Sequence, residues 1–93
     1  MFKTNEYFDG KVKSIAFESE EGTATIGVMA AGEYEFGTTT VEYMTVTSGS
    51  LTALLPNESE WKEYKKGETF IVEKDAKFKV IAKPDTSYLC VYK

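Results

Sequence analysis

An all-β fold, a single small β-barrel of the jelly-roll type spanning residues 1–93, is what this sequence predicts. Three observations predict it. Short runs alternate apolar and polar residues, the two-residue period of a strand. Turn-forming residues interrupt those runs at a spacing of about 8–12 positions, as in sandwiches and barrels. No segment holds a helical period over roughly three turns. Closing such a sheet on itself also removes exposed edges.

The elements follow in order. "KVKSIAFE" (11–18) alternates around Ile15 and Phe17, and "EEG" (20–22) turns the chain. "TATIGVM" (23–29) sets Ala24, Ile26 and Val28 against Thr23, Thr25 and Gly27. "AAG" (30–32) turns it again, into "EYEFG" (33–37) with Tyr34 and Phe36 on one face. "VEYMTVT" (41–47) puts Glu42, Met44 and Val46 on one face and Val41, Tyr43 and Thr45 on the other. Periodicity alone leaves open which of these faces the core.

"SG" at 48–49 is a tight turn into "SLTALL" (50–55). "PNESEWKEY" (56–64) reads as a loop, since Pro56 has no N–H for a ladder; Trp61 on it would cap the barrel or a dimer contact. "ETFIVE" (68–73) pairs Phe70 with Val72, and "KFKVIA" (77–82) aligns Phe78, Val80 and Ala82. "KPDT" (83–86) turns into the closing strand "SYLCVY" (87–92). These are eight runs, and roughly nine short strands are expected in all.

Ninety-three residues make one domain, with no room for a second core. Six Phe, six Tyr and one Trp can fill a small core, or stack on a flat ligand. The net charge is -4, and all 11 basic residues are lysines, scattered along the chain. No basic stripe exists to neutralise a phosphate backbone, so nucleic acid is an unexpected partner. Without arginine there is no bidentate phosphate clamp; an oxyanion would need lysine, hydroxyls or backbone N–H groups. Cys90 is the only cysteine, which fits a reducing cytoplasm, and its apolar neighbours suggest a buried, inert thiol. No apolar run approaches a membrane span, so no membrane association is expected.

The chain has no histidine. Ser-His-Asp and Cys-His catalysis are therefore excluded, as are histidine-built zinc and iron centres. No phosphate-cradling glycine loop or dinucleotide fingerprint occurs. The acidic cluster "ESEEG" (18–22) sits on a turn and reads as a solvated face. Carboxylates, hydroxyls, lysines and tyrosines remain as chemical candidates. Among them Glu42 stands out, because an inward carboxylate needs partners.

Eight segments carry a family resemblance: "NEYF" (5–8), "GKVKSI" (10–15), "GVM" (27–29), "GEYEF" (32–36), "EYMTVTSG" (42–49), "SLTALLP" (50–56), "GETFIV" (67–72) and "SYLCVY" (87–92). In this order and spacing the chain resembles the pyrimidine/purine nucleoside phosphorylases, small single-domain cupin-like proteins. The resemblance implies a cupin-type barrel, a homodimer, and phosphorolysis of diverse nucleosides to free base and ribose 1-phosphate. Nucleosides and phosphate would be its partners, with no cofactor beyond phosphate as co-substrate.

Two departures stand out: Glu73 replaces a proline of the second cupin signature, and Val91 replaces an arginine found in some members. An anion contact from that arginine could not be carried over. Aligned on Glu42, the two histidines of the first cupin signature fall at Phe36 and Thr38, and that of the second at Phe78. Three metal ligands thus become two phenyl rings and a hydroxyl, and the resemblance turns Glu42 inward.

A flat base or sugar face would suit such a pocket. Phe36 and Phe78 would stack, Glu42 would bond ribose or base, and Thr38, backed by Thr39 and Thr40, would offer donors to phosphate. Tyr34 and Met44 would line the pocket. The bland reading makes the apolar members core and Thr38–Thr40 a polar turn. A non-catalytic nucleoside-binding module is the alternative function.

Overall fold

Ten strands and no helix make up the chain in a computed structural model that describes residues 1–93 throughout. They are β1 (Thr4–Tyr7), β2 (Val12–Ser19), β3 (Gly22–Met29), β4 (Gly32–Gly37), β5 (Glu42–Ser48), β6 (Ser50–Leu54), β7 (Lys62–Lys65), β8 (Thr69–Val72), β9 (Lys77–Ala82) and β10 (Thr86–Tyr92). All pairings are antiparallel. One sheet has six strands in the order β1-β2-β3-β10-β5-β8, the other four in the order β4-β9-β6-β7.

The expected all-β class is observed, but the sheets do not close into one barrel. No strand ladder joins them. At the open side, side chains bridge the gap that backbone pairing would fill in a closed barrel. Tyr7 and Phe8, at the end of β1, pack their rings on Tyr34 and Phe36 of β4, with centroids 5.0–6.1 Å apart.

Two strands had no counterpart in the sequence reading. β1 (TNEY) and β7 (KEYK) are short, polar and largely exposed edge strands, with no apolar alternation to reveal them. Edges of this kind discourage pairing with other chains. Part of the expected loop 56–64 is thus β7, and Trp61 lies just before it, exposed.

A single cluster of fourteen buried residues fills the space between the sheets. The four-stranded sheet contributes Tyr34, Leu51, Ala53, Phe78, Val80 and Ala82, and the six-stranded sheet Val12, Met29, Met44, Val46, Phe70, Val72, Tyr88 and Cys90. Fully burying a Leu, Val or Met side chain contributes about 1.5–3 kcal/mol, so this cluster is the main stabilising term.

On β2 and β3 the more apolar face of the alternation points outward. Val12, Ser14, Thr25, Gly27 and Met29 point inward, whereas Ile15, Ile26 and Val28 are 47%, 44% and 52% exposed. The register aligns the outward residues into rows: Ile15 with Ile26 and Leu89, and Phe17 with Ala24, Val91, Tyr43 and Ile71. The inner face of these two strands lines a cavity and stays partly polar. The outer face carries the larger hydrophobes.

Candidate functional site

The cavity opens between the sheets, has a volume of about 390 Å³, and is lined mainly by apolar side chains. Three parts of the fold build it. The first three strands and the β1–β2 turn supply Tyr7, Phe8, Ser14 and Met29; β4 supplies Glu35, Phe36 and Gly37; β5, β9 and β10 supply Glu42, Met44, Phe78, Tyr88, Cys90 and Tyr92.

Of the residues singled out in the sequence, Phe36, Glu42, Met44 and Phe78 meet here. β5 turns Glu42, Met44 and Val46 inward, which resolves the face that periodicity left open. Phe36 and Phe78 are direct cross-strand partners with centroids 5.8 Å apart.

Thr38 and Tyr34 stand apart from the cavity. The Thr38 hydroxyl donates to Glu73 O at 2.6 Å and accepts from Ala76 N at 3.1 Å. Thr38 is buried and clamps the β8–β9 turn, so its oxygen is already committed. Tyr34 is buried too; its hydroxyl donates to Ala30 O at 2.7 Å, and its ring supports Phe8 from behind.

The polar groups in the cavity are two carboxyls, four hydroxyls and one thiol, with no lysine among them. Burial pushes the Glu42 carboxyl above its ordinary pKa, partly offset by the Cys90 thiol, which donates to Oε1 at 3.5 Å. Burial and then the Glu42 charge raise Cys90, so this 1%-exposed thiol stays protonated. Tyr88 is pushed up to about 12, chiefly by burial and then by its proximity to Cys90. Burial also raises Tyr92, whose hydroxyl shares a 3.1 Å hydrogen bond with Thr25. Both phenols therefore remain O–H donors throughout the neutral range.

A cross-strand row explains how Tyr88 reaches the cavity floor. Ser14, Gly27 and Tyr88 are successive partners on β2, β3 and β10. The phenol lies flat across Gly27; a Cβ there would stand 2.3 Å from Tyr88 Cζ. The missing side chain lets the ring extend toward Ser14, which lowers the cost of ionising the phenol without cancelling the effect of burial.

Most residues that sequence reasoning missed come from the chain ends, Tyr7, Phe8 and Ser14 on one side and Tyr88, Cys90 and Tyr92 on the other; Met29, Glu35 and Gly37 from the middle of the chain were missed too. The signal at the chain ends was the aromatic density of "NEYF" and "SYLCVY". Val91, one of the two departures from the family pattern, points the other way. Val91 lies in the outer row with Ala24 and Tyr43, so that side chain never faces the cavity.

Comparison with known proteins completes the description. The family model described as pyrimidine/purine nucleoside phosphorylase matches residues 2–92. A protein of that name from Alcanivorax borkumensis is 60% identical over 92 residues, covering 99% of this chain and 98% of its own. The crystal structure of a protein of unknown function from Vibrio parahaemolyticus superposes with a TM-score of 0.95 at 42% identity, covering 100% of this chain and 99% of that one. An RmlC-like cupin from Shewanella frigidimarina superposes at 0.75 with 14% identity, over 96% and 80% of the two chains, a likeness of fold alone. With its sequence matched almost end to end, this chain belongs to the pyrimidine/purine nucleoside phosphorylase family.

Proposed function

We propose that the chain is a cytoplasmic nucleoside phosphorylase acting on both purine and pyrimidine nucleosides: uridine, cytidine, thymidine, adenosine, guanosine, inosine and xanthosine. A phosphate oxygen forms a bond to the anomeric carbon as the C–N bond to the base breaks. Free base and ribose 1-phosphate result, or 2-deoxyribose 1-phosphate from thymidine, and the reaction runs in both directions with no cofactor. The observation that carries this reading is the convergence, in one 390 Å³ cavity, of stacked phenyl rings, a desolvated carboxyl and phenolic donors, in a chain of this family.

Each group has a job. Phe36, Phe78 and Met44 pack against base and sugar, an interaction that ignores the pattern of base edges. Burial raises the Glu42 pKa, which suits its protonated carboxyl to donate a proton to the departing base nitrogen. Tyr88 and Tyr92 give O–H donors to phosphate or ribose oxygens in place of the missing arginine clamp. Phosphate held beside the anomeric carbon stabilises the oxocarbenium-like sugar, and proximity alone is worth several kcal/mol.

The outer face of the six-stranded sheet supports a homodimer. Ile15, Ile26 and Val28 cluster on β2 and β3, and Ile71 lies on the same face at edge strand β8, each about half exposed. Grouped apolar exposure of this kind marks an association surface. A dimer built there leaves both cavities open.

The test is chromatography of base and ribose 1-phosphate after incubation with uridine, inosine and adenosine, with and without phosphate. Base release that needs phosphate and matches ribose 1-phosphate one to one is expected. No release at high enzyme concentration and long times would replace this reading with a binding module.

A further inference from the structure

The β1–β2 connection is unusual. Gly10 N donates to Tyr7 O at 3.1 Å, closing a four-residue turn whose central residues, Phe8 and Asp9, have φ of 54° and 56°. Gly10 is left-handed too, with φ of 84°, and the register pairs Tyr7 with Val12 across a four-residue loop; such consecutive left-handed positions are normally filled by Asn, Asp or Gly. Asp9 conforms. A phenylalanine in the left-handed region is an outlier.

Packing across the open side leaves much of Phe8 uncovered. The ring touches Tyr34 and Phe36, yet 44% of the residue is exposed, and it borders the cavity. Strain retained at the mouth of a cavity points to a function for the side chain that is strained. The geometry suggests which. Phe8 and Phe36 meet at 88° with centroids 5.5 Å apart, forming an aromatic corner. A flat heterocycle laid on one ring presents its edge to the other, both favourable aromatic arrangements.

We propose that Phe8 is a specificity-determining residue, held at the mouth by its left-handed turn to take the nucleobase by its flat face. The assignment rests on the phosphorylase reading for the identity of its ligand. Purine and pyrimidine differ in area but both offer a π-face, so a stacking platform accepts either. The larger purine gains more from it.

The test uses Phe8→Asn, which removes the ring while suiting the turn, and Phe8→Trp, which keeps a stacking face. Thermal melting establishes that each is folded. Calorimetry then measures inosine and uridine binding without phosphate, and steady-state kinetics measures KM and kcat with it. For Phe8→Asn, inosine binding and KM should weaken by roughly tenfold. The loss should be smaller for uridine, kcat should stay within about twofold, and Phe8→Trp should restore the affinity.

A folded Phe8→Asn protein with unchanged inosine KM and affinity overturns the assignment while leaving phosphorolysis intact. A wild type that binds inosine in a Phe8-dependent way, without phosphate-dependent turnover, supports the stacking role and overturns the phosphorylase reading. A wild type that binds no nucleoside and turns none over overturns both.

Discussion

Replacing Gly27 with alanine should change the cavity from its floor. The added Cβ would stand 2.3 Å from Tyr88 Cζ, 2.4 Å from its oxygen and 2.6 Å from Cε1. Carbon contacts settle near 3.5–4.0 Å, so the ring must retreat by roughly 1.2 Å or more. It is rigid, and the space open to it is the cavity it already lines. Overpacking of this kind costs about 1–3 kcal/mol. Alanine recovers about 0.5–1 kcal/mol over glycine in a strand, leaving a net loss of about 1–2 kcal/mol.

For a domain of this size each kcal/mol moves Tm by about 4–8 °C, so calorimetry should record a fall of about 5–15 °C. A displacement of about 1 Å at a reacting group can lower kcat/KM by about 100-fold. The clash has one owner, so Tyr88→Ala should remove it; in that background Gly27→Ala should be neutral or mildly stabilising. A Gly27→Ala protein that melts with the wild type and keeps its kcat/KM would refute the account of how this site is seated.

Three further outcomes follow from other parts of the molecule. Glu42→Gln should reduce turnover by about 100- to 10,000-fold, measured as base released. Because burial raises the Glu42 pKa, the charged form is the one folding disfavours; its contribution is fully present below the unfolded pKa and lost as pH rises through the folded one. Denaturant titrations should therefore find Glu42→Gln and wild type equal in acid and the variant more stable at neutral pH. Thr38→Val leaves Glu73 O and Ala76 N without their partner and should cost about 1–3 kcal/mol in chemical unfolding, with kcat/KM within about twofold below the transition; a large catalytic loss in the folded variant would return Thr38 to the site. Ile26→Asp, on the outer face, should convert a dimer to a monomer in light scattering after size exclusion, with the cavity groups untouched.

Where one face of a strand met the core and the other met water, the sequence was legible. β4, β8 and β9 each bury the face their alternation marked: Tyr34, Phe70 with Val72, and Phe78 with Val80; on β5 alternation left both faces open, and Met44 with Val46 turn out to be buried. The reading failed on β2 and β3, where the stronger apolar pattern belongs to the outer face. Gly27 and Thr25 look like outward residues in a periodicity argument; they face inward because Tyr88 and Tyr92 need the room and the hydroxyl. Glu42, Phe36 and Phe78 were found through their place in a family pattern. Phe8 was not, since its role depends on a turn that its own residue type disfavours. The contribution of β10 was hidden as well, because pairing of the last strand between β3 and β5 is a property of topology.

Histidine, the one side chain whose ordinary pKa falls near neutrality, is absent from this protein. The phenols at the floor of the cavity hold their protons far into the alkaline range, Tyr88 to about 12. Proton handling at this site therefore falls to Glu42, whose pKa burial raises. The rate should fall as that carboxyl ionises and vary with the ionisation of dissolved phosphate, with no imidazole step between them.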